Sequence, residues 1–162
     1  MKRRDGYTIL ELLVTIAILA LIAAIINPDF GTWVKRQSFA NSFDDLYSNL
    51  MTVKSEAMTR GTTSRINLTL QVDGTYTISG YVSALPTPTC SSGAVAIQLF
   101  SRELSVPSGY QVTGNGVGNV CFYRDGSSTG GQYVYDDGGA GTGTGSISIS
   151  VATGYLDVIK VY

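Results

Sequence analysis

The stretch GYTILELLVTIAILALIAAIINP, residues 6–28, decides the organisation of this chain, because it is apolar almost throughout yet carries one acid, Glu11. Its apolar part is about 20 residues long, which is roughly 30 Å of helix and enough for the hydrocarbon core of a bilayer. A secretory signal peptide would have a shorter apolar core and a small-residue cleavage site. Here the run ends at Asn27-Pro28 and leads into a second helical pattern. The sequence therefore predicts a transmembrane helix over residues 7–27.

The residues before the apolar run predict its orientation. Three basic residues stand at positions 2–4, and basic residues that flank a membrane helix mark its cytoplasmic end. Residues 28–162 are then expected outside the cytoplasm. In such a compartment Cys90 and Cys121, the only two cysteines, are predicted to form a disulfide, with two buried free thiols as the alternative.

Glu11 is the residue that a plain membrane anchor leaves unexplained. Insertion scales put the cost of an acid in a membrane helix at about 2.5–3.5 kcal/mol, which makes such a residue a functional candidate. If the chain were cut after Gly6, Tyr7 would gain a free ammonium four residues from Glu11. The ammonium of a neighbouring subunit could then pair with the Glu11 carboxylate in the apolar medium. Neutralisation of the two charges would drive lateral assembly.

A second helical pattern follows Pro28. Apolar residues recur at spacings of three and four, which predicts an amphipathic helix over residues 28–60 that stops at Arg60-Gly61. We expect one long helix from Tyr7 to about Arg60, bent near Pro28. The predicted apolar face holds Phe39, Phe43, Leu46, Tyr47, Leu50, Val53 and Ala57, and the predicted polar face holds Asn41, Asp44, Asp45, Ser48, Asn49 and Lys54.

The remainder of the chain, residues 61–162, has the two-residue alternation of strands. Asp73-Gly74 and Thr153-Gly154 are predicted hairpin turns, and such short connections favour antiparallel pairing. Residues 136–145, DDGGAGTGTG, are expected to form a flexible loop. The predicted fold is α+β, with a long N-terminal helix packed on antiparallel β-sheet. The predicted strands are 64–72, 75–82, 94–100, 119–126 (ending in a turn), 132–135, 146–152 and 155–162.

The composition argues against several kinds of chemistry. The chain has no histidine, which excludes a Ser-His-Asp triad and makes most zinc sites improbable. Residues 138–145 lack the following lysine and helix of a phosphate-binding loop. Asp136 and Asp137 are two adjacent acids, whereas calcium loops need several spaced oxygen ligands. We therefore predict no enzymatic activity, no metal and no cofactor.

Residues 2–28 closely resemble the class III signal of type IV pilins and type II secretion pseudopilins. That signal is a short basic leader, a glycine, an aromatic residue, Thr-Leu-x-Glu-Leu and an apolar helix. The resemblance implies that a prepilin peptidase cuts after Gly6 and methylates the new N-terminus, Tyr7, which stands where Phe is commoner. It also implies that Glu11 is the assembly glutamate and that Pro28 kinks the helix.

The rest of the chain is similar to the GspH/FimT-like minor pilins. Residues 46–68 resemble their passage from a helix ending near SEAxxRG into a hairpin. Residues 121–135, CFYRDGSSTGGQYVY, and 147–161, ISISVATGYLDVIKV, resemble their DG-s-s-t-G-G stretch and closing hairpin. The resemblance implies a minor pilin or pseudopilin, which enters or primes a type IV pilus or type II secretion pseudopilus.

Together the resemblances imply a protein that changes location. Residues 1–6 would be the leader, residues 7–27 a single-pass helix in the inner membrane, and residues 28–162 an extracytoplasmic pilin-like domain. After cleavage the subunit would enter the filament. The implied partners are other pilin subunits, the prepilin peptidase, the inner membrane and its assembly platform.

Other functions stay open at this point: a major pilin, a competence minor pilin that binds DNA, and a membrane-anchored enzyme. DNA-binding relatives use a basic tail, but the tail 153–162 carries only Lys160 against Asp157, and has Tyr155 where an arginine is expected. Removal of the leader takes away three of the 11 basic and one of the 12 acidic residues, which leaves a net charge of −3. Phosphate attraction depends on the cations presented, so the sequence argues against DNA binding. It does not separate a pilus from a secretion system.

Overall fold

Two helices and eight strands are present in the part of the chain that the computed structural model describes. The described residues are 8–25, 30–84, 90, 96–139, 141 and 143–161. The chain divides into two compact units, Met1–Val34 and Lys35–Tyr162. The elements are α1 Ile9–Ile25, α2 Phe30–Arg60, β1 Ser64–Leu70, β2 Tyr76–Ser83, β3 Ala96–Leu104, β4 Gln111–Thr113, β5 Gly118–Phe122, β6 Gly131–Asp136, β7 Thr144–Ile149 and β8 Leu156–Val161.

The helix α1 exposes its large apolar side chains on all sides. Ile9 is 82 % exposed, and Ile16, two turns later, is 51 % exposed. No helix in the described part of the chain combines the length and the apolarity needed to cross a bilayer. Pro28 lies outside the described residues, as do 26–29 as a whole, so the predicted kink stays a prediction.

The helix α2 buries one stripe of side chains and stops in a Schellman motif. Gly61 adopts a φ of 64°, the Thr62 N–H donates to the carbonyl of Ala57, and the Gly61 N–H donates to that of Met58. The prediction that Asn49 lies on the polar face is wrong. Asn49 is 2 % exposed, and its side-chain amide nitrogen donates to the Asp45 carbonyl at 2.8 Å, so its donor is satisfied within the helix. The buried residues of α2 are Phe39, Ser42, Phe43, Leu46, Asn49, Leu50, Val53 and Ala57.

The strands form two four-stranded sheets with the orders β3-β2-β1-β5 and β4-β6-β7-β8. All the described strand pairs are antiparallel, which confirms the predicted α+β class. The predicted hairpin at Asp73-Gly74 joins β1 to β2, and the one at Thr153-Gly154 joins β7 to β8. Gly74 has a φ of 86°, and the Asp73 carboxylate accepts hydrogen bonds from Thr75.

The structure differs from the predicted strands at several points, among them β7, which spans Thr144–Ile149 where 146–152 was predicted. β3 continues past residue 100 to Leu104, and β4, whose central residue is the buried Val112, was not predicted. The loop 136–145 is shorter than predicted, since Asp136 ends β6 and Thr144 begins β7. The continuation of β3 escaped prediction because residues 101–103 are all exposed at the edge of the sheet, which removes the alternation of buried and exposed positions there.

An aromatic cluster fills the core between α2 and the strands. The ring centroids of Phe39 and Phe43 are 5.7 Å apart. The Tyr135 ring packs against both, with its centroid 5.9 Å from that of Phe39 and 5.4 Å from that of Phe43. The Tyr135 hydroxyl lies 3.3 Å from the Ser42 hydroxyl, and burial raises the pKa of Tyr135. The Ser42 and Tyr135 hydroxyls thus share a hydrogen bond inside the core, in which either can be the donor.

Candidate assembly helix and family motifs

Glu11 lies in the first turn of α1, and Thr8 caps that turn. The Glu11 backbone N–H donates to the Thr8 hydroxyl at 3.2 Å, as in a capping box. The positive end of a helix dipole favours an acid by about 0.3–1 kcal/mol. That is smaller than the insertion cost of about 2.5–3.5 kcal/mol. The first turn of α1 therefore favours an acid at position 11, by less than the cost that an acid would meet inside a bilayer.

Glu11 lies between apolar residues in the sequence, and these residues are exposed. Its neighbours along the helix, Leu10 and Leu12, are 72 % and 59 % exposed. The ion pairs among the described residues are Arg60–Glu56 and Lys160–Asp44, so Glu11 makes none there. Gly6 and Tyr7, the predicted cleavage and methylation positions, lie outside the described residues. The pairing of Tyr7 with Glu11 stays a prediction.

Cys90 and Cys121 form the predicted disulfide, with their Cα atoms 5.9 Å apart. Cys121 lies in β5, which is an edge strand of its sheet, and is fully buried. The bond closes a loop of 31 residues in sequence that includes β3 and β4. It therefore joins the segment between β2 and β3 to the opposite edge of the same sheet.

We expect reduction of this disulfide to lower the stability of the domain without changing its fold. On the chain-entropy model a loop of this length contributes roughly 3–4 kcal/mol to the free energy of unfolding. Urea unfolding with and without reductant measures the difference. A Cys90→Ser/Cys121→Ser variant should match the reduced protein and no longer respond to reductant. Equal midpoints for the oxidised and reduced proteins would contradict this prediction.

The two sequence motifs of the C-terminal half meet in space. The turn at Asp125-Gly126 lies against the β7–β8 turn, and a Cβ on Gly154 would sit 2.3 Å from the Gly126 carbonyl oxygen. Lys54 of α2 donates from its ammonium to the carbonyls of Thr153 and Gly154, at 3.2 and 3.0 Å. The motif residues thus hold the helix and both turns together.

Asp125 stabilises the turn in which it lies. The Asp125 carboxylate accepts hydrogen bonds from the Ser127 hydroxyl and N–H, and these bonds lower the pKa of Asp125. Gly130 (φ 74°) has no room for a side chain, since a Cβ there would lie 2.7 Å from Val151. The conformation of this stretch, like that of Gly154, therefore explains its glycines without a ligand.

The Asp137 carboxylate binds backbone N–H groups of the loop between β6 and β7. Asp137 is 7 % exposed, and its two carboxylate oxygens accept hydrogen bonds from the N–H groups of Gly139 and Gly143, at 2.9 and 3.2 Å. Asp136 binds the N–H of Gly138 in the same way. These acids therefore shape the loop. Across the described residues no group of three or more His, Cys, Asp or Glu side chains is placed to hold a metal.

An open groove of about 490 Å³ lies beside β5, β6 and β7. Its lining consists of uncharged residues, so the lining itself supplies no acid, lysine or imidazole that could activate the hydroxyls of Thr129 and Ser148. The lining residues are Asn115, Asn119, Thr129, Gly130, Gly131, Gln132, Ser148, Ile149 and Val151.

The sequence reasoning missed the structural roles of Lys54 and Asp137. Lys54 stands on the polar side of α2, where a lysine needs no partner. The family resemblance offered one hint of this contact. Lys54 lies in the helix motif 46–68, and its partners Thr153 and Gly154 lie in the closing hairpin motif of the same family. Asp137 could have been found from its position before a glycine-rich loop, since Asp side chains commonly bind backbone N–H groups two residues on.

Comparisons with known proteins match both parts of the chain. Residues 1–27 match the prokaryotic N-terminal methylation motif. Residues 43–154, more than half of the chain, match the family described as type II transport protein GspH.

Two solved structures share the fold. One is the type IV minor pilin FimU of Pseudomonas aeruginosa, with 17 % identity and a TM-score of 0.59 over 78 % of this chain and 92 % of that chain. The other is the minor pseudopilin EpsH of the type 2 secretion system of Vibrio cholerae, with 12 % identity and a TM-score of 0.55 over 75 % and 96 %. With its N-terminal motif and a match over most of its folded part, this chain belongs to the GspH family, the minor pilins and pseudopilins of type IV pili and type II secretion systems.

Proposed function

We propose that this minor pilin or pseudopilin waits in the inner membrane as a single-pass protein and enters a filament after its leader is removed. Residues 1–6 are the leader, residues 7–27 the membrane and assembly helix, and residues 28–162 the extracytoplasmic domain. The match of residues 1–27 to the methylation motif supports this proposal. The observation that carries it is the apolar, exposed surface of α1 around a single acid.

Three partners follow from this proposal. A prepilin peptidase cuts between Gly6 and Tyr7 and methylates Tyr7, an inner-membrane assembly platform extracts the subunit, and other pilin subunits surround α1. Glu11 is the assembly contact, because the ammonium of a neighbouring Tyr7 would supply the compensation that the helix dipole does not. Pro28 lets the helix bend between its apolar and amphipathic halves.

The proposed role is structural rather than enzymatic, and DNA is not among the proposed ligands. Lys160, the single cation of the C-terminal tail, bonds to the Asp44 carboxylate at 2.5 Å and lies 5.0 Å from the centre of the Phe43 ring. A cation held in this way is less available to a phosphate than a free one.

We expect cleavage to be visible in the intact mass of the protein. When the full chain is expressed with a prepilin peptidase and extracted from membranes, mass spectrometry should show the loss of residues 1–6 and the gain of one methyl group. Cells without the peptidase provide the control and should retain the leader. A full-length mass in cells that contain active peptidase would refute the proposed processing.

A further inference from the structure

The first turn of α2 exposes an aromatic pair. Phe30 is 70 % and Trp33 61 % exposed, and their rings meet edge to face with centroids 6.1 Å apart. Val34, 49 % exposed, extends the patch. Residues spaced by three and four lie on one side of a helix, so these three side chains form a continuous apolar stripe. Such clustering of large exposed apolar groups marks an interaction surface.

Positive charge borders this stripe. Lys35 and Arg36 follow directly, both are exposed, and neither takes part in the ion pairs of the described residues. Asp29 directly precedes the stripe, and no acid occurs between residues 30 and 43, so the segment carries an excess of positive charge. Tryptophan together with lysine and arginine is the combination found at the boundary between a bilayer and water. There the rings rest at headgroup level, and the cations attract anionic lipids.

The position of the stripe fits the same boundary. Phe30 comes shortly after Ile25, the last residue of α1, and the apolar run of the sequence ends at residue 27. A second copy of this chain is a poorer occupant, because its matching segment would bring the same excess of cations, Lys35 and Arg36 against Asp29. The lipid headgroup region offers both an apolar margin and negative charge.

We propose that Phe30, Trp33 and Val34, with Lys35 and Arg36, form an interfacial anchor that binds the headgroup region of a bilayer containing anionic lipid. The anchor sets the depth of the chain in the membrane before it enters a filament. This inference rests on the membrane anchoring proposed above, and it adds a defined lipid contact on the extracytoplasmic side of the membrane helix.

Trp33 is the only tryptophan in the chain, so native fluorescence reports on this surface alone. The full chain is reconstituted into vesicles of phosphatidylcholine and phosphatidylglycerol that carry bromine at a shallow or a deep acyl position. Flotation on a density gradient first establishes that the protein is anchored. We expect shallow bromine to quench Trp33 by about half, and about twofold more strongly than deep bromine, as a ring at the interface requires.

Two variants make the measurement specific. Trp33→Phe/Met51→Trp moves the only tryptophan roughly 27 Å along α2, at 1.5 Å per residue, and should abolish quenching from either depth. Lys35→Gln/Arg36→Gln should float normally but lose about half of the shallow quenching, and only in vesicles that contain phosphatidylglycerol.

The outcomes separate this inference from the function on which it rests. Failure of the protein to float overturns both. Normal flotation with no quenching of Trp33, or with stronger deep quenching, overturns the interfacial anchor alone. A third outcome is that lipid bromine does not quench Trp33 and that its emission shifts to the blue only when subunits assemble. That result would assign the stripe to a contact between subunits and would also overturn the interfacial anchor.

Discussion

Phe43→Ala is expected to lower the free energy of unfolding by about 3–5 kcal/mol, the largest stability effect that we predict. Phe43 is fully buried and its ring contacts those of Phe39 and Tyr135. The ammonium of Lys160 lies 5.0 Å from its ring centre. Truncation therefore removes apolar burial, two aromatic contacts and the group that helps hold β8 to α2.

The surroundings of Phe43 leave little means of closing the resulting cavity. Gly145 of β7 lies so close that a Cβ there would be 2.8 Å from Phe43 Cε2. A glycine has no side chain that could move into the space. Substitutions that create a cavity lower the free energy of unfolding most where the surrounding structure cannot relax into the empty space. Since small domains are stable by about 5–15 kcal/mol, this single change should remove a large share of the total.

Urea unfolding followed by circular dichroism measures this effect. The buried hydrophobic residues of the described structure fall between residues 39 and 156, so a version beginning at residue 29 retains the whole core. Met51→Ala, on the same helix but 43 % exposed, is the matched control and should change stability by less than about 0.5 kcal/mol. A Phe43→Ala effect no larger than that of the control would mean that the aromatic cluster does not support the domain.

Local patterns in the sequence predicted the parts of the fold that depend on local contacts. The spacing of Phe39, Phe43 and Leu46 depends on the helix period alone, and these residues are buried as expected. The turn residues Asp73-Gly74 and Thr153-Gly154 adopt hairpin turns because their preferred backbone angles suit the connection. In each case the chemistry of a few neighbouring residues is enough.

The arrangement of the sheets could not be read in this way. β1 pairs with both β2 and β5, and the second of these partners lies about 50 residues further along the chain. β4 has three residues and is fixed by long-range contacts, including a hydrogen bond from the Val112 N–H to the Tyr76 hydroxyl at 3.0 Å. Such pairings depend on tertiary packing, which no local alternation encodes.

The candidate site shows the same division. Glu11 could be found from the sequence because an acid within an apolar run is a local anomaly. The stripe at Phe30 and Trp33 could not, since aromatic residues in an amphipathic helix are usually buried, and only the structure shows that these two are exposed. The sequence shows only that these two residues lie close to the end of the apolar run, which does not by itself tell whether they are buried.

Replacement of Glu11 should reduce the entry of the subunit into filaments on the order of 100-fold while its level in the membrane stays normal. The carboxylate costs about 2.5–3.5 kcal/mol in the bilayer, and pairing with a neighbouring ammonium would return this free energy on assembly. Because each 1.4 kcal/mol is a tenfold change in an equilibrium, loss of the pair removes roughly two powers of ten. Immunoblots of sheared filaments and membranes measure both quantities.

The choice of substitutions distinguishes charge pairing from the other roles that Glu11 could play. Glu11→Ala removes the whole side chain, whereas Glu11→Gln keeps its size and polarity and removes only the charge, so charge pairing predicts that both fail. Thr8→Ala removes the cap that binds the Glu11 N–H and costs about 1 kcal/mol of helix stability, yet it should leave incorporation largely intact. If Glu11→Gln instead enters filaments as well as the unmodified protein does, the carboxylate acts through its shape or its hydrogen bonds, and assembly must be driven by the apolar surface of α1 alone.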